Sequence, residues 1–371
     1  MSEPRTFKIA LLPGDGNGPD LVPRAQEVLK AIEAAHGFIS FSVSVLPFGS
    51  SAIDMGLEAL PDDTLQTCHE SDAIIVFCLG GGPKASEQGF LRLRKELAVD
   101  ANIRSVRFPS SHLLSLSSFR PECVEGLDLT FVRDLTGGVY FGARQEADEE
   151  HPLAFDTTEY TADRIRKLAF WTGYYAMRSF PPKPVVSIDK FNVMATSRLW
   201  RRTVTDVFQE HFPEVPLRHI LVDHVAEILS RDPTSLNGLL LTENLFGDIL
   251  SDQAGAIIGN CNVLASSALA IGRERSGGVV QGMYEPLNLK VGGNPSGNPI
   301  PIIEIIKQML ELGFGLKKEA KCVEEALRQT LDPSDLGGAN VQMKDLGGSA
   351  SEDGFMNEFL KNLGGRLKSI V

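Results

Sequence analysis

Residues 237–252 read NGLLLTENLFGDILSD. Leu239, Leu240 and Leu241 form a short apolar run suited to a buried strand, and Thr242, Glu243 and Asn244 supply polar turn and cap residues before a helix-like segment. Asp248 and Asp252 follow at i, i+4 spacing, so on a helix both carboxylates share one face. That face lies just beyond the carboxyl end of the strand, where open α/β sheets bind ligands. Two like charges there repel and weaken a solvated helix slightly. A bound cation reverses that sign, because hard divalent ions such as Mg2+ take one or two carboxylates and complete their shell with water and substrate. On spacing alone a solvated acidic face is the simpler reading. The residues around the pair decide the matter.

The rest of the chain sets bounds. Its 371 residues are enough for two domains or lobes, and 43% apolar content fits an ordinary globular protein. A net charge of -12 argues against nonspecific nucleic-acid binding, while local arginines still permit an anionic small substrate. Cys68, Cys78, Cys123, Cys261 and Cys322 are dispersed, odd in number and lack a CxxC pair, which points to a reducing compartment. No apolar run approaches the ~20 residues that span a bilayer. MSEPRTF runs straight into a strand-like KIALL, so a cytoplasmic protein without a membrane partner is expected.

Strand and helix patterns alternate from the start, which indicates an α/β fold. Residues 8–12 read as a strand, 13–19 (PGDGNGP) as a tight turn, and 20–35 as a helix. The turn lacks the GxGxxG spacing of a dinucleotide fingerprint, and a plain turn needing positive φ accounts for its glycines equally well. Residues 42–46 alternate like a strand, 57–68 suit a helix, and 73–79 form the apolar run of a parallel strand buried on both faces. Gly80 to Pro83 breaks the chain before a helix over 87–98 that carries Arg92, Arg94 and Lys95, with Arg104 beyond it. Basic helix faces are usually just solvated. Arg94 and Arg104 gain weight only if they converge on an anion with a third cation, and Arg133, in the strand-like LTFVRDLTGGVYFG, is the candidate.

Tyr140 follows a Gly-Gly turn and is expected on a second strand, where an edge-strand aromatic is the competing reading. Residues 143–152 are acidic and read as a surface excursion, and 161–178 as a helix ended by Pro181, Pro182 and Pro184. A strand over 185–188 leads to Lys190, a position between strand end and helix start where burial and neighbouring charge can tune a base. Residues 220–222 lead likewise to Asp223, a third acid at a strand end, and the seven histidines show no metal-ligand spacing. Farther on, 273–282 read as a Gly-rich turn, 283–301 as a long loop with four prolines, and 302–312, 318–331 and 354–363 as helices. The DLGG at Asp335 and again at Asp345 marks two loops and is too short to count as a repeat.

Six stretches, LLPGDGNGPD (11–20), LRLRKELAVDANIRS (91–105), VRDLTGGVYFG (132–142), SIDKFNVMATSRLWRRTV (187–204), LVDHVAEIL (221–229) and TENLFGDILSD (242–252), carry a resemblance over nearly the whole chain. The sequence resembles the metal-dependent β-decarboxylating dehydrogenases, the family of isocitrate and 3-isopropylmalate dehydrogenases. The resemblance implies two open α/β lobes sharing a long sheet, with the active cleft between them: a cofactor-side lobe of residues 1–105 and 260–371, and a substrate, metal and dimerisation lobe of residues 106–259. It implies a homodimer with shared sites, Lys190 and Asp223 coming from the partner chain. Arg94, Arg104 and Arg133 would clamp the carboxylates of a small dicarboxylate, Glu87 and Phe90 would lie beside its carbon-3 substituent, and Asp248, Asp252 and Asp223 would hold Mg2+ or Mn2+. Lys190 and Tyr140 would move protons while NAD takes the hydride.

Departures gather on the cofactor side. Where relatives carry EPVHGSAPDIAGKGIANP, this chain has residues 285–299, three residues shorter, with Asn288 in place of the histidine and no acid after Glu285. Asn17 replaces the apolar residue usual in GDGIGP, Phe191 stands where alanine is common, and the segment after Pro83 is shortened. Asn17, Glu285, Asn288 and Asn298 remain the candidates for cofactor contacts. Two kinds of activity follow: oxidative decarboxylation of a 3-substituted malate with NAD in a remodelled loop, as in specialised metabolism, or a nucleotide-independent lyase, decarboxylase or isomerase reaction on a related polycarboxylate. A non-catalytic regulatory subunit is the third possibility, against which stands the joint retention of Lys190, Tyr140 and three acids.

Overall fold

A computed structural model describes residues 5–78, 83–150, 152–260, 263–286 and 298–370. In chain order its strands are β1 (Arg5–Leu12), β2 (Ile39–Val45), β3 (Ala73–Val76), β4 (Ala101–Arg107), β5 (Asp128–Asp134), β6 (Arg144–Gln145), β7 (Phe155–Asp156), β8 (Val185–Asp189), β9 (Leu217–Leu221), β10 (Gly238–Thr242), β11 (Ala265–Arg275) and β12 (Val279–Pro286). The chain divides into two compact units. One comprises Met1–Val99, Phe108–Ser117 and Gly259–Val371, the other Asp100–Arg107 and Ser118–Ile258. Each is α/β.

In the first unit the strands lie in the order β2-β1-β3-β12-β11, parallel except for the β11/β12 hairpin. The apolar run at β3 is buried along its whole length, as a parallel strand covered on both faces must be. Helices Gly18–Ala35, Ile300–Gln308, Lys317–Leu331 and Glu352–Leu367 pack on one another and, through Ile300–Gln308, on β11 and β12. The first of them begins at Gly18, two residues earlier than the sequence suggests, because Pro19 fits a first helical turn. The segment expected to be helical from residue 57 becomes so only at Asp62, with Pro61 at the N-cap.

The stretch 273–282, read from sequence as a turn, is two strand ends joined by Ser276–Gly278, with Gly277 and Gly278 at φ 74° and 76°. The loop expected from residue 283 is still strand as far as Pro286, and Tyr284 is fully buried in it. Asn288 and the rest of 287–297 lie outside the described residues, as do Gly80 to Gly82.

In the second unit the order is β4-β5-β10-β8-β9, with β4 antiparallel to β5 and the others parallel. β4 pairs with β5 along its whole length, from Ala101 opposite Asp134 to Arg107 opposite Asp128, so a boundary after residue 105 would cut a strand. β10 is central, and Leu239, Leu240 and Leu241 have no exposed surface. Helices Ala162–Ala176, Ala195–His211, Val222–Arg231 and Asn244–Ile257 connect or follow its strands. Thr161 caps the first of these through the Arg164 backbone N–H. The acidic excursion is exposed over residues 143–150 and contributes one strand of the small β6/β7 ladder. No helix among the described residues is long and apolar enough to cross a membrane.

Candidate active site

The helix Asn244–Ile257 starts directly after β10 and presents Asp248 and Asp252 one turn apart. β5, paired with β10 through Thr242 and Arg133, brings Arg133 to the same end, and the antiparallel β4 brings Arg104. Arg133 Nη1 donates to Asp248 Oδ1 at 2.5 Å, and Tyr140 Oη donates to Asp248 Oδ2 at 3.0 Å. Arg104 Nη1 donates to Asp252 Oδ1 at 2.6 Å and to Ser251 Oγ at 2.8 Å, with its Nη2 3.9 Å from Asp248. Two guanidiniums, two carboxylates and a phenol therefore meet at one strand end.

Gly247 allows this convergence. A Cβ there would lie 2.2 Å from Thr242 Oγ1 and 2.7 Å from Arg133 Cγ. Gly to Ala inside a helix ordinarily stabilises by up to ~1 kcal/mol. Here overpacking of ~1–3 kcal/mol opposes it, and the group displaced is Arg133. Gly247→Ala is expected to lower the thermal midpoint and, by displacing Arg133 from Asp248, to cut turnover at least ~10-fold. Calorimetry and steady-state rates on the purified variant check both.

Tyr140 is not on a strand. It sits in a turn after Gly138, whose φ is 78°, and its carbonyl accepts from Arg144. The two glycines needed for that turn prevent strand continuation and aim the ring at Asp248. Burial, and then the Asp248 charge, push its phenol above the ordinary tyrosine range, so it stays protonated at neutral pH.

Lys190 follows β8, and its Nζ donates to Asp223 Oδ1 at 2.5 Å. Asp223 lies in the first turn of helix Val222–Arg231, two residues past the end of β9 at Leu221, where the sequence had suggested a strand end. The hydrogen bond from Lys190 holds its carboxyl below the usual range. Asp189, buried beside Lys190, accepts both Arg201 Nε and Nη2, at 2.7 and 2.9 Å, and the Phe191 backbone N–H. Arg201 stacks 3.6 Å from the Phe191 ring centre, so the unusual phenylalanine is packed. Lys190 and Asp223 pair with each other, whereas Asp248 and Asp252 pair with arginines. Among the described residues no three His, Cys, Asp or Glu side chains gather into a metal-holding group.

Other candidates lie in the first unit. Arg94 Nη2 donates to Glu285 Oε1 at 2.6 Å, and its guanidinium sits 4.3 Å over the ring of Phe90, which is on the same helix, Lys84–Glu96. Glu87 is exposed in the first turn of that helix, and Asn17 occupies the N-cap position of Gly18–Ala35 without a side-chain cap bond. Asn298 is fully buried, donating to Asp345 Oδ2 at 2.7 Å and accepting the Ile300 N–H. Asp345 Oδ1 is buried without a hydrogen-bond partner. In the turn 13–19, Gly14 and Gly16 have positive φ and Gly14 abuts the Cys78 carbonyl, so local packing explains at least the first glycine.

Sequence reading took Asn244 only as a turn or cap residue, although it shares the helical face of Asp248 and Asp252 at the same spacing. It read Glu243 in the same way, and the structure buries that residue, whose carboxyl is pushed up to about 7 by desolvation and then by Asp134 and Asp189. An acid with a raised folded pKa gives stability that is fully present below its unfolded value near ~4.3 and lost as pH rises through about 7. Glu243→Gln is therefore expected to match the wild type near pH 5 and exceed it at pH 8, by on the order of 2–3 kcal/mol. Denaturant titrations at the two pH values read the gap.

Comparison with known proteins adds the following. A family described as isocitrate/isopropylmalate dehydrogenase matches residues 8–361. A 3-isopropylmalate dehydrogenase of Candida maltosa is 41% identical over 358 residues, covering 94% of each chain. That of Schizosaccharomyces pombe is 39% identical, covering 93% of this chain and 95% of its own. Among solved structures, an isocitrate dehydrogenase from Methylococcus capsulatus has a TM-score of 0.70 at 23% identity, covering 98% of this chain and 99% of its own. A beta-decarboxylating dehydrogenase from Thermococcus kodakarensis has a TM-score of 0.72 at 24% identity, covering 98% of this chain and 97% of its own. The structural likenesses speak for the fold.

Proposed function

The chain belongs to the isocitrate/isopropylmalate dehydrogenase family, and from that premise we propose that it catalyses metal-dependent oxidative decarboxylation of a 3-substituted malate with a nicotinamide dinucleotide as hydride acceptor. The observation that carries this reading is the Asp248 group. Its carboxylates are partly exposed, with side chains 33% and 50% accessible for Asp248 and Asp252, and all four oxygens are hard donors. That donor set fits Mg2+ or Mn2+. Asp248 and Asp252 would hold the cation, which would supply Lewis-acid chemistry at the substrate oxygens, and the nicotinamide would supply a hydride acceptor.

The chain's own residues supply the remainder. Arg104 and Arg133 hold the substrate carboxylates, for which a fixed guanidinium fork is suited. Arg94 is proposed to do the same from the first unit, with Phe90 and Glu87 beside the carbon-3 substituent. Tyr140, kept protonated, donates the proton that ends the reaction. Lys190 is the proposed base; its pairing with Asp223 rather than Asp248 supports a homodimer in which these two serve the partner's site. Asn17, half-buried at the start of Gly18–Ala35, is the proposed contact of the nucleotide. Asn298, fully buried with both ends of its amide engaged, and Glu285, engaged by Arg94, are the less suited members of that set.

A spectrophotometric screen tests the reading. With NAD or NADP, Mg2+ and a panel of 3-alkyl and 3-arylalkyl malates, at least one malate is expected to reduce the nucleotide. EDTA should abolish the signal, and Mg2+ or Mn2+ should restore it. No reduction with any malate would reject the proposal.

A further inference from the structure

We infer that Asn244 is a positioning residue that fixes the direction of Arg133 for an anionic ligand; the inference deepens the reading of Arg133 proposed above. Asn244 Oδ1 accepts from both Nε and Nη2 of Arg133, at 3.0 and 2.7 Å. Its Nδ2 donates to the Gly137 carbonyl at 2.9 Å, which fixes which way the amide faces, because an oxygen turned toward that carbonyl would be repelled. Its backbone N–H donates to Tyr160 Oη at 2.8 Å. Tyr160 is itself immobile: it packs edge-on against Trp200 and lies so close to the backbone that a Cβ at Gly137 or Gly138 would fall within 2.6 or 2.8 Å of it. The Asn244 side chain is therefore held at both ends, in a residue only 1% exposed.

The choice of acceptor matters. A buried guanidinium needs its Nε/Nη2 edge satisfied, and a carboxylate does this best, with two parallel charged hydrogen bonds. Arg201 has that arrangement on Asp189. Arg133, 6% exposed, instead has a neutral amide on that edge, and its ion pair with Asp248 is made by Nη1. The amide sets direction without adding charge. Nη1 is then turned to Asp248, so Arg133 is bracketed by two residues one turn apart on the same helix. Arg104 and Arg133 balance Asp248 and Asp252 in formal charge; a carboxylate at position 244 would tip the balance negative where a dicarboxylate has to dock. The face Asn244, Asp248, Asp252 thus combines one neutral orienting group with two charged ones.

The test compares N244A, N244D and wild type by steady-state kinetics with 3-isopropylmalate, Mg2+ and NAD, by thermal denaturation, and by the NMR signal of the Arg133 Nε–H, assigned by its loss in Arg133→Lys. The wild-type resonance is expected in slow exchange and is lost in N244A. KM for the malate rises about tenfold in N244A and about a hundredfold in N244D, whose added carboxylate tips the local charge balance negative, while kcat and the nucleotide KM stay within about threefold. A merely structural role predicts instead that both KM values, kcat and the thermal midpoint move together, with N244A and N244D alike. That pattern, or an unchanged malate KM in folded variants, overturns the inference. If the wild type turns over no malate, the substrate reading fails on its own. The Nε–H resonance still decides: its survival in N244A overturns the positioning role, and its loss supports it.

Discussion

Asp248→Asn is expected to lower kcat/KM by at least ~10^3-fold, about 4 kcal/mol of transition-state stabilisation, without unfolding the protein. Asparagine has the same shape, and its one carbonyl oxygen still accepts from Arg133 Nη1, which Asp248 holds at 2.5 Å, while the amide nitrogen replaces the oxygen that accepted from Tyr140 Oη at 3.0 Å. What it removes is the charge and one acceptor. The side chain is one-third accessible, so the stability cost of losing its ion pair is small, within ~1 kcal/mol. Metal affinity carries the loss: a neutral amide oxygen is a poorer ligand for a hard divalent ion than a carboxylate. Rates measured across a Mg2+ series, with thermal midpoints alongside, separate the two effects. A Mg2+ requirement unchanged from wild type would remove Asp248 from the proposed metal site.

Lys190→Met is the second large effect, expected at ~10^2–10^4-fold in kcat for loss of a proton-transfer group. Methionine keeps the unbranched stem, and Asp223, exposed at its helix start, tolerates the lost partner. The proposed dimer adds a sharper consequence. A chain carrying D248N and a chain carrying K190M are each nearly inactive, yet a dimer of one with the other contains one site with an intact Asp248 and an intact Lys190. Co-expressed and randomly paired, the two variants are expected to recover about a quarter of wild-type activity. The same two substitutions in one chain should recover none beside an inactive partner. Absence of complementation in a mixed dimer confirmed by mass spectrometry would place Lys190 and Asp248 in the same subunit's site.

How the sequence announced this site, and where it fell silent, follows from the range of the interactions. β10 and the helix after it were legible because leucines buried on both faces and acids at i, i+4 are local patterns. Arg104 and Arg133 were legible as residue types, and their meeting with Asp252 and Asp248 depends on strand order, which no local pattern encodes. Tyr140 was assigned to a strand because the residues after its two glycines are apolar; the positive φ of Gly138 makes the segment a turn, and the partner that matters, Asp248, is 108 residues away. The Arg94–Glu285 pair joins positions 191 residues apart and was likewise invisible, so Glu285 was read only with the cofactor segment that follows it. Asn244 is different. Its spacing from Asp248 was readable, but an amide beside two acids looks like a helix start until an arginine is found lying on it.

The reaction proposed from the chain's family joins oxidation and carbon dioxide loss in a single turnover. The most direct measurement follows both products at once, reduced nucleotide by absorbance and carbon dioxide by trapping, from a turned-over 3-substituted malate with Mg2+. The account predicts equal amounts of each, both abolished by EDTA and both by D248N. Carbon dioxide released without nucleotide reduction would contradict it and identify the protein as a redox-neutral decarboxylase.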